Sequence, residues 1–78
     1  MEEDDMKEIE IPTAPMHRLC KKAGADRVSE AAAHELAKVL DEIGAKIAKE
    51  AFEYAMYAGR KTIKIKDIEI ATRKIIGK

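Results

Sequence analysis

The sequence predicts an all-α domain made of a short helix, one long central helix and a second short helix, and it predicts that this domain needs a partner chain. Three observations carry that reading. Residues 30–58 contain no proline and keep apolar residues at helical spacing over roughly 29 residues. Pro12, Pro15, Gly24 and Gly59 punctuate the chain on either side of that run. The 78 residues include a single cysteine and no zinc-type cluster, so a domain this small has no internal cross-link to stand on.

Taken in order, residues 1–10 read as an acidic, disordered tail, with the folded domain occupying 11–78. Ile9 and Ile11 alternate with Glu10, which allows a short extended contact where the tail meets the domain. Pro15 suits the first turn of a helix, where its missing N–H costs nothing. Met16, Leu19, Cys20 and Ala23 then fall at i, i+3, i+4 and i+7, about two turns of apolar stripe that Gly24 ends. Ala25, Asp26, Arg27 and Val28 form a short loop, and Ser29 stands where a helix N-cap belongs.

The long helix carries Leu36, Leu40, Ile43, Ile47, Ala51 and Tyr54 on one stripe, widened by Val39 and Phe52. At about 1.5 Å per residue the rod is about 44 Å long, whereas a compact chain of this length is only about 30 Å across. Such a stripe is covered along its whole length only by a second chain. Gly44, near the midpoint, costs about 1 kcal/mol relative to alanine and is read as the place where two rods cross closely. Gly59 stops the rod. The basic loop Arg60-Lys61-Thr62-Ile63-Lys64 suits a brief extended segment, and Lys66 to about Ile76 forms the third helix, with Ile68, Ala71 and Ile75 inward.

A formal net charge of zero conceals a segregation. Residues 1–11 hold six acids (Glu2, Glu3, Asp4, Asp5, Glu8 and Glu10) against Lys7 alone, which leaves a body of net charge +5 behind a tail of −5. The body suits a polyanion and the tail opposes one. The chain has neither Asn nor Gln, and 38% of it is charged, which predicts a thermophilic source. No apolar run approaches the roughly 18 residues of a membrane span. The acidic start is unlike a signal peptide, so an intracellular, reduced location is expected. No nucleophile–base set, phosphate-binding glycine loop or metal cluster is visible, so neither an enzyme nor a cofactor is expected. His17 and His34 are too scattered for a metal; both are read as exposed, with His17 touching phosphate weakly. Cys20 is read as a small core residue.

Four stretches of the chain resemble the archaeal histones: Ile11-Pro12-Thr13-Ala14-Pro15, Ala23 to Ser29 (AGADRVS), Ala58 to Lys64 (AGRKTIK), and Lys66-Asp67-Ile68-Glu69. The resemblance covers residues 11 to about 76. It implies a histone fold in a head-to-tail intertwined dimer, with loop one of each chain beside loop two of the other, gripping double-stranded DNA at the chromosome of the cytoplasm. It places DNA contacts at Arg18, Arg27, Lys61, Thr62 and Lys64. The loop-one arginine enters the minor groove beside the loop-two threonine, and an Arg60–Asp67 pair braces loop two. Contacts between neighbouring dimers, repeated into higher oligomers on DNA, fall at Tyr54, Tyr57, Asp67 and Ile70. The partner chain is expected to be a second copy, with another histone as the alternative.

The physics of these residue types agrees. Loop lysines that neutralise phosphates release counterions and give sequence-independent, salt-sensitive affinity, while arginine in a narrowed minor groove meets enhanced negative potential. Asn and Gln, which read base edges, are absent. The chain departs from the family at Ala33, Ala45, Glu53 and Met56, positions that are often basic, so weaker DNA binding is expected. It also departs at Tyr54 and Tyr57, where leucine and histidine are common. The competing expectation is a histone-fold component of a transcription or repair complex, which the reduced basicity favours and the intact loop motifs oppose.

Overall fold

A computed structural model describes residues 10–77, and the acidic tail expected at 1–10 lies outside them except for Glu10. The described chain forms three α-helices in the expected order: α1 (Ala14–Lys22), α2 (Glu30–Tyr57) and α3 (Ile65–Ile76). Their boundaries follow from local chemistry. Pro15 lies in the first turn of α1, where a proline removes no helical hydrogen bond. Ser29 caps α2, its Oγ accepting from the Ala32 N–H at 3.0 Å.

The first two helices end in the same way. Gly24 (φ 117°) and Gly59 (φ 76°) adopt left-handed backbone. Ala25 N–H then reaches the Cys20 carbonyl and Gly24 N–H the Lys21 carbonyl, just as Arg60 N–H reaches Ala55 and Gly59 N–H reaches Met56. These are two Schellman ends, each built on an Ala-Gly pair. They turn the chain sharply into loop one and loop two. Loop two forms no strand, although Lys64, at φ −114° and ψ 170°, is extended.

The chain divides into two compact units, Met1–Asp41 and Glu42–Lys78. In the first, Met16 of α1 is buried with Ala33 and Ala37 of α2, and Ile11, Val28, Leu36 and Leu40 pack around them. The Glu10 N–H donates to Asp41 Oδ1 at 3.2 Å. In the second unit the buried residues are Ala51, Ala55, Asp67 and Ala71, and Lys74 of α3 pairs with Glu50 of α2 at 3.6 Å.

The innermost positions are therefore alanines one helical turn apart, whereas Leu36, Leu40, Ile43, Ile47 and Tyr54 of the expected stripe are half-buried and Val39 and Phe52 exposed. Ala33 is among them, at 0% exposure. The expectation that it marks a lost surface charge is corrected: the position is core. Ile68 stays exposed and Ile75 half-buried, so of the three residues expected inward on α3 only Ala71 is fully covered. Gly44 has nothing within 4 Å of where a Cβ would stand, so nothing inside the chain demands glycine there.

No large side chain among the described residues is fully buried, while Leu19, Val39, Phe52, Met56, Tyr57, Ile63, Ile65, Ile68, Ile70 and Ile76 are exposed. Fully burying one such side chain contributes about 1.5–3 kcal/mol, and these are already partly covered, so covering all that remains exposed is worth on the order of 10 kcal/mol. That is comparable to the whole stability of an ordinary domain. A second chain is expected to cover this surface. The thermal midpoint is accordingly expected to fall by about 3–6 °C for each tenfold dilution, measured by calorimetry over a hundredfold concentration range. A constant midpoint with a monomeric mass by light scattering refutes it.

Candidate nucleic-acid interface

Loop two is the best-defined part of the surface. Arg60 Nη1 donates to the Thr62 carbonyl at 2.8 Å and to Asp67 Oδ2 at 3.0 Å, while Nη2 reaches Asp67 Oδ1 at 3.3 Å. The Lys64 N–H donates to Asp67 Oδ2 at 2.8 Å. One carboxylate thus holds the guanidinium through two oxygens and also satisfies a free N–H at the start of α3. Asp67 is 4% exposed. The Arg60 hydrogen bond, then the backbone N–H of Lys64, hold its carboxyl below the usual carboxylate range, and the same pairing raises the Arg60 guanidinium.

With Arg60 and Asp67 turned inward, Lys61, Thr62 and Lys64 remain exposed. Lys64 is the N-cap of α3, a position where its side chain accepts no hydrogen bond and its charge meets the positive end of the helix dipole. Helix stability does not explain a lysine there.

In the first unit, Arg18 projects from α1 and Arg27 from loop one, both exposed. Arg18, Arg27, Lys61 and Lys64 form no ion pair among the described residues, so their charges are free to meet phosphate. Of the residues expected between dimers, Tyr57 is 89% exposed, Ile70 is exposed, Tyr54 is half-buried and Asp67 is buried. An open depression along α2 is lined by Lys49, Phe52, Glu53, Met56 and Tyr57. Among the described residues no group of three His, Cys, Asp or Glu could hold a metal, and no helix is long and apolar enough to cross a membrane.

Sequence reasoning missed one contact. His17, expected to be exposed, is half-buried, and its Nε2 donates to Glu30 Oε1 at 3.1 Å, while Thr13 Oγ1 donates to Glu30 Oε2 at 3.3 Å. A pair separated by thirteen residues on two helices leaves no periodic mark in the sequence.

A lowered carboxyl pKa in the folded state means that Asp67 contributes stability above its unfolded value, and that this contribution is lost as pH falls through the folded one. Asp67→Asn is therefore expected to lower the thermal midpoint at neutral pH. The difference from the parent should close below about pH 4, in the range where carboxylates protonate. Equal midpoints at pH 7 refute the brace.

Comparison with known proteins agrees with this geometry. The model of a family described as "Histone-like transcription factor (CBF/NF-Y) and archaeal histone" matches residues 9–72. One of the subunits of the archaeal histone HAN1 of Thermococcus zilligii is 50% identical over 64 residues, covering 82% of this chain and 96% of the relative. "Probable archaeal histone 3" of Methanocaldococcus jannaschii is 48% identical over 64 residues, with the same coverage. The braced loop, the short–long–short order of helices and these matches lead to one conclusion: the chain belongs to the histone-fold family, on its archaeal histone side.

Proposed function

We propose that this protein is a chromatin protein that binds, bends and compacts double-stranded DNA without reading its sequence. The observation that carries the reading is loop two, where Arg60 and Asp67 hold each other while Lys61, Thr62 and Lys64 are left exposed and uncommitted. The family membership supports it, and both relatives named above are histones. The matching family description also names transcription factors, but the exposed, unpaired cations of loop two favour DNA over a role in such a complex. Arg18 and Arg27 supply contacts from the first unit. The working form is a dimer of two copies, in which loop one of each chain lies beside loop two of the other and Arg27 enters the minor groove next to Thr62. The protein acts at the chromosome. Both related genera are named for heat, which supports a thermophilic source for this amide-free sequence.

Titration with random-sequence duplex DNA across a salt series tests the reading. Affinity is expected to be sequence-tolerant and to fall steeply with salt. Arg27→Ala should weaken all sequences alike and flatten the salt slope by about one ion contact per site. A changed sequence preference with an unchanged slope refutes the minor-groove role.

Dimers on DNA meet through Tyr54, Tyr57, Asp67 and Ile70. Asp67 is buried and already bonded to Arg60 and Lys64, so a Tyr57 hydroxyl from a neighbouring dimer competes for the little of its Oδ1 that remains. Two phenol rings also stand where smaller groups usually pack, and overfilling costs about 1–3 kcal/mol. This chain therefore forms shorter assemblies than its relatives. Nuclease digestion of saturated complexes should give mainly short protected fragments, lengthened by the Tyr54→Leu, Tyr57→His double substitution. A long ladder that the double substitution leaves unchanged refutes it.

A further inference from the structure

We propose that His17 is a further residue of the DNA-binding surface, and that DNA binding loads a proton onto it through its contact with Glu30. The inference rests on the DNA-binding reading above. His17 directly precedes Arg18, and Glu30 follows Arg27 by three residues, so the pair brackets in the chain the two arginines assigned to DNA in the first unit. The Glu30 side chain is 76% exposed and the His17 side chain 31%. An exposed carboxylate near a phosphate-binding surface repels the ligand that the surface attracts.

The charge of the pair depends on the imidazole. With His17 neutral, the pair carries the full negative charge of Glu30; with His17 protonated, the pair is neutral. Phosphates brought close favour the protonated form, because a nearby negative charge stabilises a cation. The coupling is reciprocal, so affinity rises as pH falls and complex formation takes up protons.

The groups around His17 fit this role. From α2 it meets Glu30 at 3.1 Å, with His34 one turn further along that helix. From the segment before α1, Thr13 donates to the other Glu30 oxygen and so holds the carboxylate in place. On α1 itself, Arg18 is adjacent and Lys21 lies one turn away, and loop one adds Asp26 and Arg27. Among side-chain types, histidine is the one that ordinarily changes charge between about pH 5 and 8. The chain has two histidines, His17 and His34, so the source of a pH response is decided by two substitutions.

The test measures affinity for a random-sequence duplex between pH 5.5 and 7.5 at fixed salt, with calorimetry in two buffers of different ionisation enthalpy to count protons. Circular dichroism at both limits checks the fold. A phosphate field that shifts a histidine by one pH unit corresponds to up to tenfold in affinity per chain. The expected result is about five- to tenfold tighter binding per chain at pH 5.5 and an uptake of up to one proton. His17→Gln, whose amide can still donate to Glu30 but cannot charge, should bind with a flat profile and no uptake. His34→Gln should keep the response. Glu30→Gln should bind more tightly than the parent at pH 7.5 and respond less to pH, which provides an independent measurement if the His17 variant fails to fold. A flat parent profile with no proton uptake overturns the proposal and leaves DNA binding intact, as does a response that disappears with His34 and not with His17. Absence of binding at every pH overturns the DNA-binding reading itself.

Discussion

A helix of 28 residues cannot hide its apolar face under companions of nine and twelve residues, and much else in this protein follows from that inequality of length. At about 1.5 Å per residue the long helix spans about 42 Å, and the two short ones together about 32 Å. What they do cover, they cover with small residues: Met16 is the largest side chain among the buried apolar residues, and the other five are alanines. The chain has in effect placed its large apolar side chains where only another molecule can bury them.

Loop two solves a different problem, that of presenting cations without letting them collapse onto nearby acids. Asp67 takes the guanidinium of Arg60 and the backbone N–H of Lys64, and Arg60 in turn holds the Thr62 carbonyl. The acid and the arginine consume each other, and the loop between them is held by hydrogen bonds within eight residues of chain. The remaining cations then face solvent at fixed positions. Placing Lys64 at a helix N-cap runs against the dipole, a local conflict of the kind that functional sites retain.

Much of the fold was legible because it is written in residues with one meaning. Pro15, Gly24, Ser29 and Gly59 mark helix ends through backbone geometry alone, and each stands at the end it predicts. The inner face was less legible. Reading periodicity from Leu36, Leu40, Ile43 and Ile47 finds the correct helix but the wrong centre, because Ala33, Ala37, Ala51 and Ala55 carry little hydrophobic weight and yet permit the closest approach of helices. The site divides along similar lines. A spacing of seven residues between Arg60 and Asp67 has no meaning in itself and was found through resemblance to a family. The His17–Glu30 contact had neither periodicity nor family pattern to announce it, and only coordinates reveal it.

The alanine centres also decide how the protein tolerates change. A core of leucines is weakened by truncation, which opens cavities. An alanine at 0% exposure has almost nothing to lose, since only glycine is smaller. Damage here comes from the opposite direction, because every larger residue must push helices apart or leave its rotamer. Sequence drift at Ala33, Ala37, Ala51, Ala55 and Ala71 is therefore barred on one side, and the single chain has little room to evolve greater stability from within. Such a lineage can adjust its stability mainly at the surfaces where one chain meets another, and variation in heat tolerance should accumulate there while the interior stays small.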